Sequence, residues 1–495
     1  MYVGTKKIFE KYDQALLEQG NRIEELVDLA SDALYRHLDK YQSYAFLIGP
    51  GNNGADGLSL GLKLALNKKE VQFYCFSTHH SPANSHYLEQ VDQLSIPVAK
   101  MDQENLESFQ EELNLYDVVV DCLFGFGLNK PMAGIYKDVA ELVNNECNSD
   151  VVAIDIPSGM YCDTFNGGDT IIKADLTVTL TALKQSFLNP ASQEYTGKIQ
   201  LEYLDAQSFH KQLGFARILE RNDMVRIMKK RNYDDYKHRN GMAIHFTGSS
   251  RYRGASVLAA KAAVYSGCGI VALSSVALVE QAVCNNVPEV VFDFLEGTTM
   301  EQGLAKYDSI LVGSGLGISL ESIKTVFGVL EYARGPLVID GDALTILAKR
   351  QEILKEISTK LVLTPHIGEF KRFCHLEDGD DVMAKAVSFA RENRIILVLK
   401  GPNTIITDGN TTYRNSTGSM AMATAGSGDV LAGMISSFLA QGYEPLNAAC
   451  LGVYCHGQAG EEVALTSYMA VASQVIEKIP AVLKEFEDCN LKYSR

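Results

Sequence analysis

Three apolar runs in the first half of the chain end in glycine-rich turns, and each turn carries oxygen-bearing side chains. YAFLI leads into Gly49-Pro50-Gly51-Asn52-Asn53-Gly54-Ala55-Asp56-Gly57. Asp117-Val-Val-Val-Asp121 leads into Cys-Leu-Phe-Gly-Phe-Gly-Leu, and Val-Val-Ala-Ile-Asp155 into Ile-Pro-Ser158-Gly. A glycine-rich turn between a strand and a helix aims backbone N–H groups at a helix N-terminus, which suits a phosphate. The first turn alone reads equally well as a tight turn of turn-forming residues. Each aspartate alone could be a helix cap. Ligands of an open parallel sheet gather outside the carboxyl ends of its strands, so three such ends could converge on one pocket.

The second half holds Ala423-Thr-Ala-Gly426-Ser427-Gly428-Asp429-Val-Leu-Ala-Gly433, where GSGD opens a helix continued by Val430, Leu431, Met434, Ile435 and Phe438. Glycines there let the backbone curl around an anion. An aspartate in that first turn could take a proton from an attacking hydroxyl while the amides steady a transferring phosphoryl group. It could also merely complement the helix dipole. Lys400-Gly401-Pro402-Asn403-Thr404 follows a strand and suits a loop that meets a nucleotide. Thr364-Pro365-His366 runs into Gly368-Glu369, and a lone histidine after a strand is more often structural. Gly313-Ser314-Gly315-Leu316-Gly317 is another strand-end turn. Asp340 and Asp342 follow PLVI, where they could hold a metal or cap the next helix.

These motifs need a scaffold of parallel strands, and the hydrophobic pattern supplies one. From Ser43 to about Leu204 the runs YAFLIG, VQFYCF, YDVVVDCLFG, VVAIDIPSG, LTVTLT and IQLEYL alternate with helical stretches. Near-continuous apolar character marks strands buried on both faces. A second series follows: AIHFTG, GIVALSS, DSILVGSG, PLVIDGD, LVLTPH, RIILVLKG and NTIITDG, turning helical after Gly426. The expectation is α/β throughout, in two different three-layer domains. A basic stretch from about Ser208 to Asn240, containing KKRNYDDYKHRN, separates them. The boundary is placed near Gly214, giving domains 1–214 and 215–495.

Composition narrows the partners. The chain has 495 residues, 46% apolar and 21% charged, with formal net charge −16. That charge repels phosphate polymers, so nucleic acid is not the expected partner. No run approaches a membrane span. The N-terminus reads as a polar helix without an apolar signal core. Ten cysteines lack any C-x-x-C pair, and Cys122, Cys268 and Cys284 sit in apolar or small-residue runs. Buried, reduced thiols in a cytoplasmic protein are expected.

GPGNNGADGL, VVDCLFGFGL and AIDIPSG, in that order, resemble the YjeF N-terminal domain family, the NAD(P)H-hydrate epimerases, with a Rossmann-like fold. The resemblance covers about the first two hundred residues. Ala55 departs from it, standing where the family has a glycine. It implies that Asn52, Asn53, Gly54, Ala55, Asp56 and the segment Gly125, Phe126, Gly127, Leu128, Asn129, Lys130, Pro131 hold the hydrated dinucleotide. Asp155 would handle the proton beside the damaged nicotinamide. Asn53, Asp121 and Ser158 would ligate potassium, whose hardness suits oxygen donors.

HFTGSSRYRGASVLAAKAAVYSGCGIV, LTPHIGEF and ATAGSGDVLAG resemble the ADP/ATP-dependent NAD(P)H-hydrate dehydratases, which have a ribokinase-like fold. This covers about residues 235 to 490. Ser314 stands where proline is usual, Gly341 where alanine is, and His238-Arg239-Asn240-Gly241 is looser than the usual run. The resemblance implies that Ala255, Gly315, Gly317, His366 and Asp429 contact the hydrated cofactor, with Asp429 as catalytic base. Lys400 to Thr404 (Gly401, Pro402 and Asn403 between) and Gly428 would contact the phosphate donor, ADP before ATP, with magnesium. The substrates implied are hydrated NADH and NADPH, and a homo-oligomer is expected. The rival is a small-molecule kinase of the ribokinase group carrying a catalytically dead N-terminal binding domain.

Overall fold

The computed structural model describes residues 1–204, 208–295, 297, 299–377 and 380–493. The chain divides into two compact units, Met1–Ala216 and Arg217–Arg495.

The first unit is built on a seven-stranded sheet in the order Val98–Lys100, Glu70–Cys75, Ser43–Ile48, Val118–Cys122, Asp150–Ile154, Leu176–Leu180, Lys198–Glu202. Every neighbouring pair is parallel. Side chains alternate across it, as a two-residue period requires. Tyr44, Phe46 and Ile48 pack with the helices Ile23–Leu38, Asn52–Leu66 and Pro82–Gln93. Ala45 and Leu47 pack on the other side with Leu106–Leu113 and Ile135–Glu146. Burial on both faces is why the strands read as unbroken apolar runs. The chain moves outward from Ser43–Ile48 in one direction and returns to its other side at Val118–Cys122. That reversal opens a crevice at the carboxyl ends of these two strands.

The sequence does not announce how the chain begins. The first residues form a short strand, Tyr2–Gly4, parallel to Leu183–Lys184. The helix Lys6–Glu18 then follows, and the expectation of a polar helix needs correction, because Ile8, Phe9, Tyr12 and Leu16 are buried. Its apolar residues recur at helical spacing, so one stripe faces inward although the average is polar.

In the second unit the strands Val291–Phe292, Ile270–Leu273, Met242–Phe246, Ser309–Val312, Leu337–Ile339, Leu361–Leu363 and Ile396–Leu399 lie side by side and parallel. Ile405–Thr407 and Thr412–Arg414 continue antiparallel. Leu311, Val338, Val362, Val398 and Ile406 share a core with the helices Ser427–Ala440, Pro445–Ala464 and Ala472–Tyr493. Alternate residues such as Ile310, Ile339, Leu363 and Leu397 are buried as well.

The basic stretch does structural work here. Lys229 Nζ donates to the carbonyls of Gln441 and Gly442 at 3.1 and 2.6 Å, just past the end of the helix Ser427–Ala440. Arg231 donates to Gly267 O at 3.0 Å. Cations at a helix C-terminus satisfy its orphan carbonyls. All ten cysteines are free; Cys122 and Cys268 are buried, whereas Cys284 is exposed on the helix Ala277–Asn286, against expectation. Its apolar neighbours Val279 and Val283 turn inward and leave it on the outer face. Among the described residues no helix is long and apolar enough to cross a membrane.

Candidate active sites

A cavity of about 510 Å3 sits over the reversal point of the first unit. Its walls include Asn52, Asn53, Asp56, Gly125, Phe126, Gly127, Leu128, Asn129, Lys130 and Asp155. Sequence reasoning therefore brought most of one wall together. Gly54, Ala55 and Pro131 are not among the lining residues. Gly54 is where the helix Asn52–Leu66 touches the strand end: a Cβ there would lie 2.4 Å from Gly49 O. Ala55 is fully buried within the core under that helix, so its methyl group faces packing and not the cavity. Pro131 is exposed.

Asp155 follows the last residue of its strand with a φ of +67°, rarely adopted by a residue with a Cβ. Such strain persists only where surrounding contacts over-determine it. Here Leu180 N donates to Oδ1 at 3.1 Å, Asp155 N donates to Val178 O at 2.9 Å, and Lys184 Nζ donates to Oδ1 as an ion pair. Lys184 is 1% exposed. Its ammonium also donates to Thr179 Oγ1 at 3.1 Å and sits 4.3 Å from the ring centre of Phe9. Two further carboxyls face this pair. Asp13 is exposed, yet partial desolvation, then the Asp155 charge, push it up to about 6. Asp56 is pushed well above the carboxylate range by desolvation, with Asp155 and Asp13 adding to it. The motifs pointed to neither Lys184 nor Asp13. Lys184 lies within apolar LTALKQSF, where a lone lysine in a buried run was the available signal.

Asp121 and Ser158 are buried behind Leu123 and Phe124 of the cavity wall, and Asn53 stands in the wall itself. Asp121 is fully buried and accepts from Ser158 Oγ at 2.6 Å, Ser158 N at 2.7 Å and Leu123 N at 3.2 Å. Desolvation outweighs these bonds and lifts it to about 6. The Asn53 amide nitrogen is buried without a partner among the described residues, and a Cβ at Gly125 would lie 3.3 Å from Asn53 Cβ. Which end of an amide is oxygen follows from its surroundings. A buried carboxylate, a hydroxyl and an unsatisfied amide form a donor set that a hard monovalent cation fits.

In the second unit the strand ends gather Gly313–Gly317, Asp340, Thr364 and Lys400 around the start of the helix Ser427–Ala440. Asp340 is the hub. Its carboxylate accepts from Ser314 Oγ at 2.9 Å, Thr364 Oγ1 at 2.7 Å and Lys400 Nζ at 2.8 Å. Ser314, the departure from the usual proline, thus adds a hydrogen bond. Asp342 accepts from Gly317 N at 2.7 Å. Burial works against the Lys400 ammonium, but Asp340 wins and raises it from the ordinary lysine value. A Cβ at Gly428 would stand 3.2 Å from Lys400 Nζ, which puts that ammonium at the helix start. Gly426, at the cap, has φ +92°, open to glycine at no steric cost.

Asp429 lies one residue beyond Gly428. Desolvation, then Asp340, push its carboxyl up to about 7, with Lys400 and Ser314 opposing. A group poised near neutrality in such a cluster is equipped for proton transfer. Ala255 and Gly315 are adjacent, since a Cβ on Gly315 would come within 2.7 Å of Ala255 Cβ. His366 caps a short helix: its Nδ1 accepts from Glu369 N at 3.2 Å, and its own N donates to Glu369 Oε2 at 2.9 Å. Its imidazole stays exposed, bridged through the backbone to Lys400. Of the segment 400–404, only Lys400 reaches the carboxylate cluster. Thr404 Oγ1 closes the turn on Gly401 O at 3.0 Å, Asn403 donates to Asn415 O at 3.3 Å, and Pro402 is exposed. The motifs did not flag His456, which meets Ser427 Oγ at 3.3 Å and is held neutral by burial, down to about 4.

Set against known proteins, residues 21–186 match the family described as YjeF-related protein N-terminus. Residues 244–481 match the family described as NAD(P)H-hydrate dehydratase. The bifunctional NAD(P)H-hydrate repair enzyme of Thermofilum pendens is 34% identical over 478 residues, covering 91% of this chain and 90% of that protein. Its namesake in Dictyoglomus turgidum is 30% identical, with 89% of each covered. A ribokinase-like superfamily protein of Enterococcus faecalis superposes with a TM-score of 0.51 at 27% identity, over 55% of this chain and 96% of that one. The fold of the C-terminal part is therefore ribokinase-like. The likeness to the repair enzymes runs through both units, and the chain belongs to the family of bifunctional NAD(P)H-hydrate repair enzymes.

Proposed function

We propose that the chain repairs hydrated nicotinamide cofactors. The N-terminal unit interconverts the R and S epimers of hydrated NADH and NADPH. The C-terminal unit dehydrates the S form back to the reduced cofactor, using a nucleotide phosphate. The observation that carries this is a pair of carboxylates, Asp155 and Asp429, one per unit, each over the carboxyl ends of parallel strands with a lysine close by. Purified protein given hydrated NADH and ADP should restore the absorbance of the reduced nicotinamide for both epimers. Absence of any nucleotide-dependent recovery would refute the reading.

In the first unit, Asn52 to Asp56 and Gly125 to Pro131 would hold the dinucleotide, and Asp155 would exchange the proton at the hydrated ring. Asn53, Asp121 and Ser158 would hold a potassium ion, which would supply a fixed positive charge beside the ligand. Replacing potassium by a bulky organic cation should slow epimerisation. A rate indifferent to that exchange would remove the ion from this site.

In the second unit, Ala255, Gly315, Gly317 and His366 would seat the hydrated ring near Asp429. Lys400 to Thr404 and Gly428 would take the donor phosphates with their magnesium. Phosphorylation of the hydroxyl on ring carbon six turns a poor leaving group into a good one, which is the chemical reason to spend a nucleotide. Asp429 would accept that hydroxyl's proton. ADP should serve better than ATP, on resemblance to bacterial fused enzymes; equal or faster repair with ATP, measured on the same absorbance, would overturn this. A cytoplasmic location and a homo-oligomeric state complete this proposal.

A further inference from the structure

The helix Lys6–Glu18 precedes the residues matched to the family of its unit, yet it forms a wall of the cavity. Phe9, Asp13 and Leu17, spaced by four, line the cavity together. That spacing puts them on one helical stripe. The helix is anchored at the same place: the strand before it pairs Val3 with Leu183 and Gly4 with Lys184. The Phe9 ring lies against the Lys184 ammonium, and Asp13 stands one turn further on. We propose that Asp13 is a second proton-handling residue of this cavity, acting together with Asp155. The proposal rests on reading the cavity as the epimerase site.

The chemistry asks for a donor. Ring carbon six of the substrate carries the hydroxyl and is bonded to the ring nitrogen, so inversion requires a bond to that carbon to break and reform. A carboxyl gives its proton to the hydroxyl oxygen. The nitrogen lone pair moves into a C=N bond, and the C–O electron pair leaves with water. Water then adds to the opposite face, the C=N pair returns to nitrogen, and the proton returns to a carboxylate. No other reactant is consumed. Asp155, ion-paired with Lys184, offers acceptor oxygens only. Asp13 lines the cavity together with Asp155 and Lys184 and has Glu10 on its own helix; desolvation and the Asp155 charge favour its protonated form up to about pH 6. Asp56, from the helix Asn52–Leu66, is the competing donor.

The test uses the full chain. Asp13→Asn should lower kcat for epimerisation about 100-fold, in the range for loss of a general acid, with KM little changed. A donor is active when protonated, so wild-type epimerisation, corrected for the spontaneous rate, should decline as pH rises above about 6. Asp13→Asn should lose that limb, and Asp13→Glu should restore both rate and limb. Circular dichroism and continued dehydration of the S epimer report an intact fold. A rate kept within about twofold, or a rise confined to KM, overturns the proposal. So does loss of the limb in Asp56→Asn with its retention in Asp13→Asn. Absence of epimerisation by the wild-type chain would instead overturn the reading of the cavity, and the proposal with it.

Discussion

Asp429→Asn is expected to abolish dehydration while epimer interconversion continues at its normal rate. Asparagine keeps the shape and most hydrogen bonds of aspartate but has no carboxylate to take the hydroxyl proton. The loss should be at least about 100-fold in kcat/KM, the lower end for general-base catalysis. The pH dependence carries a sign. A base works ionised, and burial with the neighbouring Asp340 has pushed Asp429 up to about 7. Wild-type dehydration should therefore climb as pH rises through about 7 and level off above it. A chromatographic time course of both epimers across that range checks rate and limb together. Near-normal dehydration by the variant would remove Asp429 from the base role and leave GSGD as a phosphate cradle only.

Asp155→Asn should do the reverse. The S epimer is still repaired, while the R epimer is repaired only as fast as it converts spontaneously, again a loss of about 100-fold or more in enzymatic interconversion. This change also strands a charge: Lys184, almost fully buried, loses its ion-pair partner. Removing one member of a buried pair costs about 3–5 kcal/mol. The Thr179 hydroxyl and the Phe9 ring offset part of that. Combining Asp155→Asn with Lys184→Met should recover thermal stability without recovering epimerisation, since a buried pair replaced by apolar volume is often neutral. Loss of both activities in Asp155→Asn with its fold intact by circular dichroism would mean that the two reactions share a site.

Much of the framework could be read from local pattern. The runs YAFLI, VQFYC and VVVDC lie in Ser43–Ile48, Glu70–Cys75 and Val118–Cys122 because strands covered on both faces must be apolar at every position. Short strands escaped that reasoning. Val98–Lys100 is short and largely exposed, so no hydrophobic run marks it. Tyr2–Gly4 was missed because it is defined by its partner Leu183–Lys184, far along the chain. Cys284 shows the converse: an apolar neighbourhood in sequence is not an inward position, because helix phase decides which residue of the run turns to the core.

Within the sites the same division holds. Asn52, Asn53, Asp56, Asp155 and Asp429 stand in glycine-rich turns whose local geometry depends on a few adjacent residues, and such turns are visible in the sequence. Asp13, Lys184, Asp340 with Thr364, and His456 gain their surroundings from contacts across tens or hundreds of residues. The sequence by itself determined the alternating α/β elements, the glycine turns and the carboxylates they carry, because these follow from periodicity and backbone preference. Only the tertiary structure decided that Lys184 pairs with Asp155, that Asp340 holds Lys400 beside Gly428, and that the N-terminal helix completes the cavity of the first unit. Those are matters of desolvation and of charges brought close in space, and neither exists until the chain has folded.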